Sequence, residues 1–111
     1  MLGMDLYDLE VYTLAREISK EAWEIYERLD WRTKKVIGDQ FISSIDSIGA
    51  NLAEGFGRYH KKDKIKFFYN ARASAYESVH WVETAHTRKL ITKEDYDQLR
   101  LSLGGLPKQI N

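Results

Sequence analysis

The chain contains no cysteine, which excludes disulfides and thiolate metal sites and suits a reducing compartment. Its single proline, Pro107, lies beyond the last helical stretch. No apolar run approaches the roughly 20 residues that a bilayer span needs. The stretch Met1–Asp5 carries neither the basic region nor the apolar run of a secretory leader. The expectation is a soluble, cytoplasmic protein with no membrane partner. Net charge is zero, from 17 acidic and 17 basic residues, so bulk charge makes no case for a polyanionic partner.

What is present fits one small globular unit. The 111 residues are 43% apolar and 31% charged, enough for one core without staples and one domain spanning residues 1–111. Charge is unevenly placed. Asp5, Asp8, Glu10, Glu17, Glu21, Glu24, Glu27 and Asp30 face only Arg16, Lys20 and Arg28 over the first 30 residues. Between Arg58 and Arg72 the balance reverses, with Asp63 as the only acid among Lys61, Lys62, Lys64 and Lys66.

Periodicity is helical throughout. Val11, Leu14, Ile18, Ala22, Ile25 and Leu29 form one apolar stripe, predicting a helix over 9–29 with Asp8 as its N-cap. Ile37, Phe41, Ile45, Ile48, Leu52 and Phe56 predict a second helix over 33–57. Its interior Gly38 and Gly49 cost helix propensity and point to close approach by another helix. Gly55 and Gly57 mark its end, where a left-handed cap is expected. Ile65, Phe68, Arg72, Ala75, Val79, Val82 and His86 predict a third helix over 62–89. Thr92 and Asp95 resemble a cap for a short fourth helix over 93–103, ending at Gly104-Gly105 before a frayed tail. Four stripes joined by short turns bury only against one another. The fold expected is all-α, an antiparallel up-down four-helix bundle with a short fourth helix.

No catalytic motif stands out, and the expectation is a non-enzyme with no cofactor and no metal. Glu83-Thr-Ala-His86 has the Glu-x-x-His spacing of di-iron bundles, but such sites need a second copy and two further carboxylates. His80 and His86 do not share a helix face. Ser43, Ser44, Ser47, Ser74 and Ser78 lack a nucleophile elbow or a His-Asp arrangement. Gly55-Phe-Gly57 lacks the spacing of a phosphate-cradling loop.

Two features carry more. The turn Arg58-Tyr59-His60-Lys61-Lys62, continuing through Lys64 and Lys66, places positive charge at a helix N-terminus, against the macrodipole. Three readings stand side by side: RNA or DNA binding, pairing with acidic groups of this or another subunit, or a solvated charged turn. The second feature is a set of polar residues beside the apolar stripes: Gln40, Asn51, Glu54, Arg72 and Glu77. They read as a structural network that fixes register, with a Glu54–Arg72 contact linking helices two and three.

Gln40, then Ser47-Ile-Gly-Ala-Asn51-Leu-Ala-Glu54-Gly-Phe-Gly-Arg58, resembles the small four-helix-bundle proteins encoded by intervening sequences in bacterial 23S ribosomal RNA genes. That family's pattern is Gln, then Ser-Ile-x-x-Asn-Ile-Ala-Glu-Gly-x-x-Arg, a basic stretch, and a Phe-(Leu or Phe)-x-x-Ala-x-x-Ser core. Phe67-Phe-Tyr-Asn-Ala71 with Ser74, Tyr76-Glu77, and Leu9, Val11 and Ala15 also match. The chain departs from it at Ser43-Ser44, near Arg32 and at Ala73. The resemblance implies a ring-shaped homopentamer. It also implies kinship with the accessory variability proteins of diversity-generating retroelements, which bind nucleic acid and a reverse transcriptase. It implies no particular activity. The function expected is therefore an oligomeric binding module contacting RNA or DNA through the basic turn. The alternative is a protein-interaction scaffold whose charged faces join subunits or partners.

Overall fold

The computed structural model describes residues 5–110, and the leader reading of Met1–Met4 lies outside them. Every regular element among the described residues is helical. Helix α1 runs Glu10–Arg28. Asp8 is not its cap: the Asp8 carboxylate accepts the Asp5 N–H at 2.9 Å within a short 3-10 turn, Leu6–Asp8, and Leu9 takes the N-cap position without a side-chain acceptor.

Helix α2 is one rod made of Trp31–Thr33, a π-turn Lys34–Gly38 and Asp39–Phe56. It starts two residues before the expected boundary because Asp30 caps it, accepting Thr33 N–H at 2.8 Å. Helix α3 is Lys61–Thr87, α4 is Lys93–Gly104 and α5 is Leu106–Ile110. Thr92 caps α4 as expected, accepting from Asp95 N–H at 3.1 Å.

The left-handed cap expected at Gly55 or Gly57 is absent, since Gly57 has φ −78° and remains right-handed. The end of α2 is closed by a side chain instead: Lys64 Nζ lies 3.0 Å from the Phe56 carbonyl and 3.5 Å from that of Gly55. The left-handed residue is Lys89, φ 60°, where α3 ends and Leu90 N–H reaches back to the Ala85 carbonyl at 2.9 Å.

Cross-helix contacts fix the topology. Between α2 and α3, Gly55 meets Phe68 and Ser44 meets Ser78, so one index rises as the other falls. The same holds for α1 and α2 through Tyr26–Asp39 and Ala15–Gly49. It holds for α1 and α4 through Arg28–Asp95 and Glu21–Ser102. Each neighbouring pair is antiparallel, giving an up-down four-helix bundle 47 × 23 × 22 Å.

One contiguous core runs through it. Val11, Ala15, Ile18, Ala22 and Ile25 of α1 meet Phe41, Ile45, Ile48 and Leu52 of α2, Ala71, Ala75 and Val82 of α3, and Leu99 and Leu103 of α4. The tail is not frayed through Ile110. Leu106 and Ile110, one turn apart on α5, are both buried in that core, and Pro107 is buried beside them.

The glycines of α2 divide. A Cβ on Gly55 would lie 2.8 Å from the Phe68 ring, so α2 and α3 approach closely there. At Gly49 the nearest neighbours would be an ordinary 3.9 Å away.

Candidate nucleic-acid interface

The sequence-predicted basic turn lies where α2 ends and α3 begins, and its cations take different roles. Arg58 Nη2 donates to Glu54 Oε2 at 2.8 Å, and its guanidinium sits 4.7 Å from the Phe67 ring centre. Lys64 is turned inward onto the carbonyls that end α2. Lys66 Nζ lies 5.8 Å from the Phe67 ring centre. Lys61, Lys62 and Lys66 are exposed, and none forms an ion pair among the described residues. Tyr59 is 89% exposed, with its ring edge-on to His60. Of the seven residues proposed, Tyr59, His60, Lys61, Lys62 and Lys66 are exposed and form no ion pair among the described residues.

The proposed polar network is not brought together. Gln40 is exposed. Asn51 donates to the Ser47 carbonyl of its own helix at 2.9 Å. Glu77 accepts from Trp81 Nε1 at 3.1 Å, again within one helix. The expected Glu54–Arg72 contact is replaced by Glu54–Arg58, because Arg58 stands one helical turn from Glu54 and reaches it first. Arg72 packs 5.8 Å from the Tyr76 ring centre, and its buried Nε has no hydrogen-bond partner.

Glu83 and His86 do structural work. Glu83 Oε2 accepts from Tyr96 Oη at 2.7 Å and from Arg100 Nε at 2.8 Å, tying α3 to α4. The bond to Glu83 raises the Tyr96 hydroxyl above its ordinary pKa. His86 stacks on Tyr96 with ring centres 3.8 Å apart. No group of three metal-ligating side chains gathers among the described residues. None of the described helices is long and apolar enough to cross a membrane.

Three surfaces escaped sequence reasoning. An open groove of about 710 Å³ between α1 and α2 is walled by Tyr7, Tyr12, Arg16 and Trp23 over small residues Gly49, Ala50 and Ala53. The outer face of α3 exposes Ile65, Tyr69 and Tyr76 beside Arg72, so this helix is apolar on two sides. At the start of α2, Trp31 is 74% exposed with Lys35 Nζ 5.1 Å from its ring centre. The signal for this last patch was legible as an aromatic followed by Arg32, Lys34 and Lys35.

The class these features define is an antiparallel four-helix bundle with charged and aromatic patches on its surface. The chain belongs to the 23S rRNA-intervening sequence protein family, whose model matches residues 7–111. It is similar to a crystal structure of a protein of unknown function from the S23 ribosomal protein family of Bacteroides thetaiotaomicron. That similarity has a TM-score of 0.83 and 26% identity, over 90% of each chain. No curated protein matches it.

Proposed function

We propose that the protein is a non-enzymatic, oligomeric, cytoplasmic module that binds RNA or DNA on the turn between α2 and α3. The observation that carries this is electrostatic. Lys61 and Lys62 stand at the positive end of the α3 dipole without carboxylate partners among the described residues, beside an exposed Tyr59. Such placement costs stability unless an anion repays it. Tyr59 offers a stacking face and the lysines contact phosphate. The test is fluorescence anisotropy with labelled single- and double-stranded RNA and DNA at low salt. Binding that weakens with salt and on Lys61→Glu/Lys62→Glu is expected. No binding at low salt to any of the four probes overturns the reading.

A second reading makes the protein a scaffold, assembling with itself or with a protein partner such as a reverse transcriptase. The specific observation in its favour is the outer α3 face, where Tyr69 and Tyr76 are exposed beside the unsatisfied Arg72 Nε. A ring, as the resemblance to the family's pentamers implies, needs two different complementary surfaces per subunit. The α3 face and the α1–α2 groove would supply them. Light scattering should then give a multiple of the 13.0 kDa chain that falls on Tyr69→Glu/Tyr76→Glu. A monomer under dilute native conditions removes self-assembly from this reading and the oligomeric part of the first.

A further inference from the structure

We infer that the first turns of α2 form a second contact for single-stranded nucleic acid, separate from the Arg58–Lys66 turn, with Trp31 as its stacking platform. The two lie at opposite ends of α2, about 39 Å apart at the helical rise per residue.

The local chemistry is that of a base platform ringed by cations. Trp31 is the most exposed tryptophan, and Lys35 covers one side of its ring at 5.1 Å, leaving an indole face to solvent. On α1, Trp23 stacks on Tyr26, with ring centres 5.3 Å apart, and Lys34 Nζ stands 5.1 Å from the Tyr26 ring centre. Two successive lysines thus each stand against an aromatic ring, Lys34 on Tyr26 and Lys35 on Trp31, the pairing of cation and stacking face that single-strand binding uses.

Three carboxylates at this end are held by hydrogen bonds. Asp30 is held on Thr33 N–H at 2.8 Å, Asp39 accepts from Tyr26 Oη at 2.6 Å, and Asp95 is clamped by both Nη atoms of Arg28 at 3.1 and 3.2 Å. Glu24 and Glu27 of α1 are exposed without an ion-pair partner among the described residues, so attraction for a polyanion has to come from Arg32, Lys34 and Lys35 around Trp31. Arg32, Lys34 and Lys35 have no ion-pair partner among the described residues. Because Asp30 already caps α2, the helix N-terminus itself is not the binding element; the side chains are. The backbone here is the π-turn Lys34–Gly38, a deviation that recurs at functional sites.

A dry protein interface is the poorer fit. Such interfaces centre aromatics in apolar surroundings and are depleted in lysine, whereas Trp31 and Tyr26 each carry a lysine against the ring. A duplex is also disfavoured, because its bases are already stacked on one another and cannot reach a side-chain face.

The test uses the full-length protein and a labelled twelve-nucleotide oligo-uridine, with a duplex of the same length as comparison. Anisotropy at low salt should show single-strand binding that weakens by about fivefold to a hundredfold on Trp31→Ala, the range for losing one stacked base. Lys35→Glu should weaken it as well. In a Trp23→Phe/Trp81→Phe protein, where Trp31 is the sole tryptophan, the oligonucleotide should quench indole emission and the duplex should not. Unchanged affinity in Trp31→Ala and Lys35→Glu, with binding lost in Lys61→Glu/Lys62→Glu, overturns this site and leaves the α2–α3 turn standing. The reverse pattern keeps this site and removes the turn. A fall in oligomer mass on Trp31→Ala with affinity intact makes the patch a subunit contact and overturns the inference. Absence of all binding removes both sites.

Discussion

Ser44 and Ser78 face each other across the α2–α3 interface, both buried, with their hydroxyl oxygens 3.2 Å apart. Each also lies near a carbonyl of its own helix: Ser44 Oγ donates to Phe41 at 2.9 Å, and Ser78 Oγ lies 2.8 Å from the Ser74 carbonyl. Each hydroxyl has one proton. Ser44 spends its proton on Phe41, and Ser78 chooses between Ser74 and Ser44. The interhelical bond is therefore one of two choices for Ser78.

Ser44→Ala and Ser78→Ala should each cost no more than about 1 kcal/mol, because removing the hydroxyl strands no buried partner. A double-mutant cycle in urea should give a coupling under about 0.5 kcal/mol. Ser78→Leu, forced into a filled interface, should lose about 1–3 kcal/mol. A coupling well above 1 kcal/mol would show that the cross-helix bond dominates after all.

The glycines of α2 should respond with opposite sign. Gly49→Ala adds a methyl at ordinary contact distance, 3.9 Å from Ala15 and Tyr12. It should stabilise by about 0.5–1 kcal/mol through helix propensity. At Gly55 the same methyl meets the Phe68 ring at 2.8 and 2.9 Å and Phe67 Cβ at 3.1 Å. The last atom sits close to backbone and cannot swing aside, so Gly55→Ala should lose about 1–3 kcal/mol from overpacking. Thermal midpoints moving in the same direction for both variants would contradict this division.

The helices and their pairing were legible because apolar residues recur at helical spacing and the turns are short. What was not legible depended on competition between partners. Glu54 could be matched to Arg72 on paper, but Arg58 is one turn away and costs less chain to bring in. Lys64 reads as one more cation of the basic turn, and only the folded-back geometry shows it closing α2. The tail was missed because Leu106 and Ile110 are just two apolar residues beside a proline, too few to declare a stripe. Of the candidate surface, the composition of the turn was legible. Which of its cations stay free was not.

Asp30 should make stability acid-sensitive. Its hydrogen bond from Thr33 N–H holds the carboxyl below its ordinary pKa. A depressed folded pKa means the stabilisation is present in full above the unfolded value and is lost as pH falls through the folded value. Tyr26 has the opposite sign. Its hydroxyl is raised, first by the bond it gives to Asp39, so its contribution is present below the ordinary tyrosine pKa and is lost as pH climbs through the raised one. Asp30→Asn keeps a side-chain acceptor and should flatten the acid limb of the thermal midpoint. Tyr26→Phe should flatten the alkaline limb. Unchanged limbs in both variants would place the pH dependence elsewhere.

Helix α5 should count as core. Leu106 is 2% exposed and packs with Leu103 and Ile110 in the central cluster. Leu106→Ala should cost about 2–5 kcal/mol, as for other large-to-small core changes. Lys108→Ala and Gln109→Ala, at exposed positions of the same helix, should stay within about 0.5 kcal/mol of the parent in urea. A neutral Leu106→Ala would mean that this end does not close the core.

The lysines of the basic turn should separate stability from binding. Lys61 and Lys62 occupy the first turn of α3, where the helix dipole favours anions. Lys61→Glu and Lys62→Glu should each stabilise by about 0.3–1 kcal/mol while weakening nucleic-acid binding. Lys64 sits in the same stretch but faces the negative end of α2, within 3.0 Å of the Phe56 carbonyl. Lys64→Glu places an anion against that end and removes its capping bond, so it should destabilise by about 1–3 kcal/mol. Binding lost in Lys64→Glu is therefore uninformative about contact, and the Lys61→Glu/Lys62→Glu protein is the one to assay. A gain in thermal midpoint with a loss of affinity in that protein would mark the turn as a surface kept for a ligand at the expense of the fold. A loss of both would mark its lysines as structural.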